Sequence, residues 1–314
     1  MRRYFIKFSY LGTNYRGLQK NAIPTQNVLM LDTDTIQGAI EAAFSTLIPK
    51  CIKWPKFSSS SRTDCGVHGL SNAAHIDIEN IDDCFYEPTY ALSSVNRFFN
   101  QSNHNIRILE FVPVTNDFNS RRLAKSRKYI YRILRAKDLN DHRIPVSEVQ
   151  YCNHIRPTVF DTERIKRATQ MFMGTKDFRT FSSKSISIKP IKYVRELDTL
   201  TLEEGHPFMP YDPLCKNFEY WNIVCSAQGF LYKQVRRIVS SLIALGSGVI
   251  TERDIYIMLH VPGHHNWLPY LRLAPAQGLF LADVKYCQEE IEEYIIKYKL
   301  YGEHTVIPLD TNLV

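Results

Sequence analysis

"SSSRTDCGVHGLSNAAHIDI", residues 59–78, starts as a polar loop and ends as a strand. In its tail Ala74, Ile76 and Ile78 alternate with His75, Asp77 and Glu79, the period of two expected of a half-buried strand. Asp64 therefore lies on a loop feeding a strand, with Arg62 two residues before it and Gly66 two after. Such an acid commonly satisfies the backbone N–H groups of a turn. In a cleft it is instead a candidate reaction centre.

Working outward, "YFIKFSY" (4–10) places Tyr4, Ile6, Phe8 and Tyr10 on one face and Phe5, Lys7 and Ser9 on the other, which predicts a first strand. "TIQGAIEAAFSTL" (35–47) sets Ile36, Ile40, Phe44 and Leu47 at helical spacing, with Asp34 or Thr35 suited to cap it. A helix around "TYALSSVNRFF" (89–99) and a strand around "IRILEFVPV" (106–114) complete a first unit, placed at 1–112. A second unit, 113–314, holds a strand in "RKYIYRIL" (127–134) and a helix in "DTERIKRATQMFMG" (161–174), capped by Asp161 and ended by Gly174. Strands in "YVRELDTLTL" (193–202) and "YWNIVCSA" (220–227) follow, then a helix in "FLYKQVRRIVSSLIALG" (230–246). "QEEIEEYIIKYK" (288–299), acidic early and basic late, suits a last helix. The order predicts an α+β protein of two units, each an antiparallel or mixed sheet backed by helices.

A chain of 314 residues with 44% hydrophobic and 23% charged content has enough apolar material for a real core. Its net charge of +7 fits either a polyanionic partner or a mildly basic solvated surface. The seven cysteines, at 51, 65, 84, 152, 215, 225 and 287, are odd in number and nowhere spaced CxxC. That argues for a reducing compartment and against a disulfide framework or zinc ribbon. His260, His264 and His265 cluster, yet no HExxH or Cys/His set accompanies them, so no metal is expected. No apolar run approaches the ~18 residues of a membrane span. "MRRYFIKFSY" (1–10) enters a strand at once, so neither a secretory signal nor an amphipathic transit peptide is expected.

Residues 118–137 hold eight Lys or Arg (121, 122, 125, 127, 128, 132, 135 and 137) and no acid before the block ends, with Phe118, Tyr129 and Tyr131 interleaved. A surface that tracks phosphates and stacks bases needs this pattern, and stacking leans toward RNA. An exposed strand of a basic structural protein reads the same. In the helix from 230, Leu231, Val235, Ile238, Leu242 and Leu245 form an apolar seam, with Lys233 and Arg237 opposite and Arg236 at its border. A border arginine either snorkels to water or reaches into a cleft to hold a carboxylate, for which Asp64 is a candidate. No second paired carboxylate, GxSxG elbow or P-loop supports a hydrolase or kinase.

These residues also resemble a known family. "SSSRTDCGVHG" (59–69) resembles the G-x-G-R-T-D-A-G-V-H-A signature of the TruA-type tRNA pseudouridine synthases. "FSYLGTNYRGLQ" (8–19) resembles that family's first strand and Tyr-x-Gly-Trp-Gln turn, and "FNSRRLAKSRKYIYRI" (118–133) its F-[HD]-A-R-x-x-A-x-x-R-x-Y-x-Y stretch. "MGTKDFRTF" (173–181), "GFLYKQVRRIVSSLIALG" (229–246) and "LAPAQGLFL" (273–281) are similar to its G-T-H-D-F-x-x-F, F-L-x-x-x-V-R and A-P-x-x-G-L-x-L motifs. The six matches are in order over nearly the whole chain, and the wording leans to an animal branch.

The resemblance implies two RRM-like pseudouridine-synthase units around a central basic cleft, and an isomerase that converts uridine to pseudouridine in the anticodon stem-loop of tRNA. It implies catalytic roles for Asp64 in breaking the glycosidic bond, Arg236 as its partner, Tyr129 stacking on the target base and Arg62 displacing it. Substrate binding is expected of Arg121, Arg127, Lys128, Tyr131 and Phe230. It implies no cofactor or metal, no membrane, a homodimer, and a mitochondrial or cytoplasmic location. The alternative is a non-catalytic RNA-binding or chaperone protein on the same fold. Cys65 stands where the family has Ala, Ser59 and Ser61 where it has Gly, Leu18 where it has Trp, and Asn119 and Ser120 where it has [HD] and Ala.

Overall fold

The computed structural model describes residues 1–20, 32–184 and 190–309. Its contacts form two compact units, Met1–Lys125 with Leu281–Val314, and Ser126–Phe280. The packing thus divides the chain after 125 instead of after 112, and residues 281–309 return to the first unit. The alternating pattern that locates strands carries no information about which strand a returning segment joins.

In the first unit β1 (Arg2–Tyr10) is the middle strand. It pairs antiparallel with β3 (His68–Ile78) on one edge and β5 (Ile106–Val114) on the other, and β2 (Lys56–Ser59) adds to β3. Tyr4 lies opposite Ile76 and Ile6 opposite Ala74, so the apolar faces read from the sequence coincide. That face carries α1 (Ile36–Phe44) and α2 (Pro88–Gln101), and Ile40, Phe44, Val95 and Phe99 complete the core with Tyr4, Ile6 and Phe8. Thr35 caps α1 by accepting the Gly38 N–H, as one of the two candidates predicted. The opposite face is covered too: Phe5 is buried against Phe118 and Tyr286, each 5.3 Å away between ring centres.

The short β4 (Phe85–Tyr86) also belongs to the first unit. In the second, β6 (Ser126–Ala136) pairs antiparallel with β11 (Phe218–Ala227), which pairs with β10 (Thr199–Glu204). β7 (Asn153–Ile155) runs parallel to β6, and β8 (Gly174–Asp177) forms a separate ladder with β9 (Val194–Leu197). The predicted strand at 193–202 is thus two strands broken at Asp198. α3 (Thr162–Thr169) is capped by Asp161 but ends before Gly174, which opens β8 in the left-handed region at φ 77°. α4 (Gln234–Gly246) lies close to α3, since a Cβ on Gly246 would sit 2.5 Å from the Ile165 side chain. α5 (Glu252–His260) follows.

β12 (Leu279–Lys285) carries the chain back to the first unit, where α6 is short (Gln288–Glu292). The helix expected to reach 299 stops there. Residues 298–300 form β13 (Tyr298–Leu300), which pairs with β14 (Thr305–Pro308), and β14 pairs with β4. Ile296 and Val306 are buried in the core of the first unit, and their burial outweighs the charge pattern that favours helix. Among the described residues no helix is long and apolar enough to cross a membrane.

On β3, His75 is buried with its Nδ1 2.9 Å from the Ser120 hydroxyl. Burial first, and then the nearby Arg3 charge, push its pKa down to about 4, opposed in part by Asp77. The folded chain therefore holds a neutral imidazole that the unfolded chain protonates sooner. The stability this contributes is complete above the ordinary value near 6.5 and is lost as pH falls toward about 4, by an amount on the order of 3 kcal/mol. The midpoint of urea unfolding should fall across that window in the native chain and fall less in His75→Gln.

Candidate functional site

Loop 60–67 joins β2 to β3 and is held from below by buried polar groups. Ser60, Ser61 and Thr63 are all buried, although the sequence there reads as a solvated loop. The Tyr10 hydroxyl, at the end of β1, meets the Thr63 hydroxyl at 2.8 Å, and Asn72 Nδ2 donates both to that tyrosine oxygen and to the Ser61 carbonyl. Ser60 N–H donates to the Ala73 carbonyl, and Leu18 N–H to the Thr63 carbonyl. A buried polar group left unmatched costs roughly 1–3 kcal/mol, so each of these bonds fixes the loop's position.

Above that base the chain turns. Val67 N–H donates to the Asp64 carbonyl at 3.2 Å, and Gly66 takes a φ of 77°, which suits glycine. The turn leaves Arg62 exposed and Asp64 half-buried. Segment 12–18 packs against it closely enough to require glycine, because a Cβ on Gly12 would lie 2.0 Å from the Val67 carbonyl oxygen. Gly12 N–H donates to Nδ1 of the buried His68.

The departures from the family wording are accommodated within this packing. Cys65 is exposed, and its thiol donates to the Tyr15 carbonyl at 3.2 Å. Leu18 is fully buried. Ser120 hydrogen-bonds His75 and the Ser58 carbonyl, while the Asn119 side chain accepts from the N–H groups of Arg121 and Arg122. Arg121 is left exposed by that turn.

Tyr129, Arg127, Lys128, Tyr131, Phe230 and Arg236 belong to the second unit. Tyr129 is buried and meets the edge of Phe230, with ring centres 5.2 Å apart. Tyr131 is fully buried, gives its hydroxyl to the Pro275 carbonyl and has its pKa pushed well up, chiefly by burial. Arg127 is buried with its guanidinium on the Gln228 carbonyl, whereas Lys128 is exposed. Arg236 is half-buried, and its Nε donates to the Ala274 carbonyl at 2.7 Å, with Ala274 N–H returned to the Ser240 hydroxyl. A border arginine has here turned sideways and not to water. Arg237, read as lying on the polar side, instead sits over the Trp267 ring at 4.6 Å and donates to the Thr180 and Ser182 carbonyls. Sequence spacing places a residue on a helix face but does not reveal what covers that face.

The basic block divides as well. Arg121, Arg122, Lys125, Lys128 and Lys137 are exposed, but Arg132 is buried in an ion pair with Glu148 at 2.7 Å and Arg135 pairs with Glu219 at 2.8 Å. Those acids come from distant stretches, which is why the block looked unopposed. His264 is engaged by the Ser182 carbonyl and the Tyr193 hydroxyl, and among the described residues no three His, Cys, Asp or Glu side chains gather as a metal site. Sequence reasoning missed Tyr10, Gly12 and Asn72, which hold the loop; a polar asparagine inside the apolar run of β3 was the signal available.

Comparison with known proteins adds an independent finding. The sequence profile of a family described as "tRNA pseudouridine synthase" matches residues 168–287. The chain is 32% identical over 297 residues to "tRNA pseudouridine synthase-like 1" of Xenopus laevis, covering 93% of this chain and 94% of that one. It is 29% identical to the Homo sapiens protein of the same name, covering 96% of each chain. It is 28% identical to "tRNA pseudouridine synthase A" of Agrobacterium fabrum, covering 91% of this chain and 93% of that one.

Because a Cβ at position 12 collides with backbone, Gly12→Ala must displace the loop or β1. It should cost about 1–3 kcal/mol and lower the melting temperature by several degrees in calorimetry. Gly229→Ala, whose added Cβ would meet nothing within 4 Å, should melt within a degree or two of the native chain.

Proposed function

The chain belongs to the tRNA pseudouridine synthase family and is an isomerase acting on tRNA, and from that premise we propose how this chain's own residues carry the reaction. Uridine becomes pseudouridine when the N1–C1′ bond breaks, the base rotates, and a C5–C1′ bond forms. C5 gives up a proton and N1 gains one, so atoms balance and no electrons are exchanged. Asp64 supplies the carboxylate this requires, and Arg236 is its counter-ion, the bidentate partner a carboxylate takes. Tyr129, backed by Phe230, stacks on the target base. Arg62 helps hold the base out of the RNA stack, whose disruption costs a few kcal/mol.

Arg121, Arg127, Lys128, Tyr131 and Phe230 shape the RNA-binding surface of a central basic cleft, in a fold of RRM-like units. Of these, the exposed Arg121 and Lys128 are available for phosphates, whereas the enclosed Tyr131 acts through the wall it supports. The target is a uridine of the anticodon stem-loop. The working form is a homodimer, in the mitochondrion or the cytoplasm; sedimentation and cell fractionation test these two points. The observation that carries the proposal is the Arg62–Thr63–Asp64 turn, which keeps an aspartate half-exposed on a base of buried, hydrogen-bonded side chains.

Asp64→Ala should still bind tRNA and form no pseudouridine by carbodiimide labelling and primer extension. Product from that variant would remove Asp64 from the mechanism, and a native chain that forms no product yet functions equally in cells as Asp64→Asn would favour a non-catalytic RNA-binding role. Arg236→Ala should lower turnover by about two orders of magnitude or more, on the scale of losing one charge-stabilising donor, and change tRNA affinity less. The reverse pattern would make it a phosphate contact only.

A further inference from the structure

The turn entering α4 holds a feature that the roles above leave unused. Phe230 packs on Tyr129, and Leu231 and Val235 fill the apolar seam of α4. Tyr232, between them, is half exposed at 50%. The Lys233 ammonium lies 4.7 Å from the centre of its ring. Lys233 has φ 63° and ψ 10°, a left-handed conformation unfavourable for any residue with a Cβ. Glycine would make this turn without strain, yet the position is a lysine.

The turn is clamped on both sides. The Gln234 side chain accepts the Leu231 N–H at 2.8 Å, and Ser183 N–H donates to the Tyr232 carbonyl at 3.1 Å. The second bond brings in the exposed Lys184, next along the chain. Arg237 holds the same segment through the Thr180 and Ser182 carbonyls. An aromatic ring with a cation over it, fixed by its backbone two residues from the ring that backs Tyr129, has the chemistry of a nucleotide site: a stacking face and an ammonium for phosphate.

We propose that Tyr232 and Lys233 form a subsite for an RNA nucleotide flanking the target uridine, with the Tyr232 ring stacking its base and the Lys233 ammonium meeting its phosphate. The proposal rests on the reading that this chain acts on tRNA. The left-handed backbone at Lys233 accompanies an ammonium set over the ring.

The test is the affinity of the purified full-length chain for a tRNA transcript over a range of salt concentrations, with melting curves for every variant. Tyr232→Ala should weaken binding about tenfold, and Tyr232→Phe, which keeps the stacking face, should bind within about twofold of the native chain. Lys233→Gly should raise the melting temperature, since glycine relieves the left-handed turn, yet weaken binding and reduce the salt dependence by about one phosphate contact. Native affinity in Tyr232→Ala, or a more stable Lys233→Gly with unchanged affinity and salt slope, overturns the subsite. Should Tyr232→Ala unfold, Tyr232→Leu keeps apolar bulk without the aromatic face and takes its place. Pseudouridine formation by the native chain is measured alongside. A native chain that binds tRNA but forms no product defeats the proposed reaction and leaves the subsite to be judged on affinity, whereas one that binds no tRNA overturns both.

Discussion

Strand β1 is hydrogen-bonded along both edges, and much of the first unit takes its position from that constraint. A strand paired on two sides cannot slip by one residue without turning all its apolar side chains to the wrong face. Its end is therefore a fixed reference. Tyr10 reaches Thr63 from that end, Leu11 N–H reaches the Asn105 carbonyl, and Gly12 N–H reaches His68. The loop bearing Asp64 is thereby tied to the most constrained strand of its unit. The role proposed for Asp64 calls for that kind of support, because a displacement of about 1 Å at a reacting group can cost a hundredfold in rate.

What the sequence disclosed follows from which interactions are local. Period-two alternation located β1, β3, β5 and β6, and helical spacing with caps located α1 and α3, since neighbouring residues along the chain determine those patterns. The Arg62–Asp64 loop is singled out as a candidate by its wording, and Arg236 by its place at the border of an apolar seam. The rest depends on contacts distant in sequence. No local signal pairs Arg132 with Glu148, sends Arg237 over Trp267, or turns 298–300 into a strand against 305–308. Buried serines in "SSSRTD" were unreadable for the same reason, as their partners Ala73 and Asn72 lie across a hairpin.

The charge of the second unit shows how far a count differs from a surface. Arg132 is buried against Glu148, lies 3.7 Å from the Phe208 ring centre and donates to the Tyr151 and His206 carbonyls. Glu148 in turn accepts the Phe208 N–H. Removing charges from water is costly, and a buried pair persists when its remaining donors and acceptors are filled, as they are here. This arginine stitches loops 148–151 and 206–208 to β6 and is unavailable to a phosphate. Within residues 118–137 the cations that remain for a polyanion are therefore fewer than eight.

The return of residues 281–309 to the first unit has a consequence for how the protein is made. During synthesis Ser126–Phe280 emerges as a continuous stretch and can complete its own contacts. The first unit has its central strand early but lacks Ile296 and Val306, and Thr115 N–H and Glu87 N–H lack their acceptors at Tyr294 and His304. It must wait, with part of its core open to water, until a segment made much later arrives. Long-range closure of this kind slows folding and prolongs exposure of apolar surface. The unit that carries Asp64 thus completes its core only once residues 294–306 have been made.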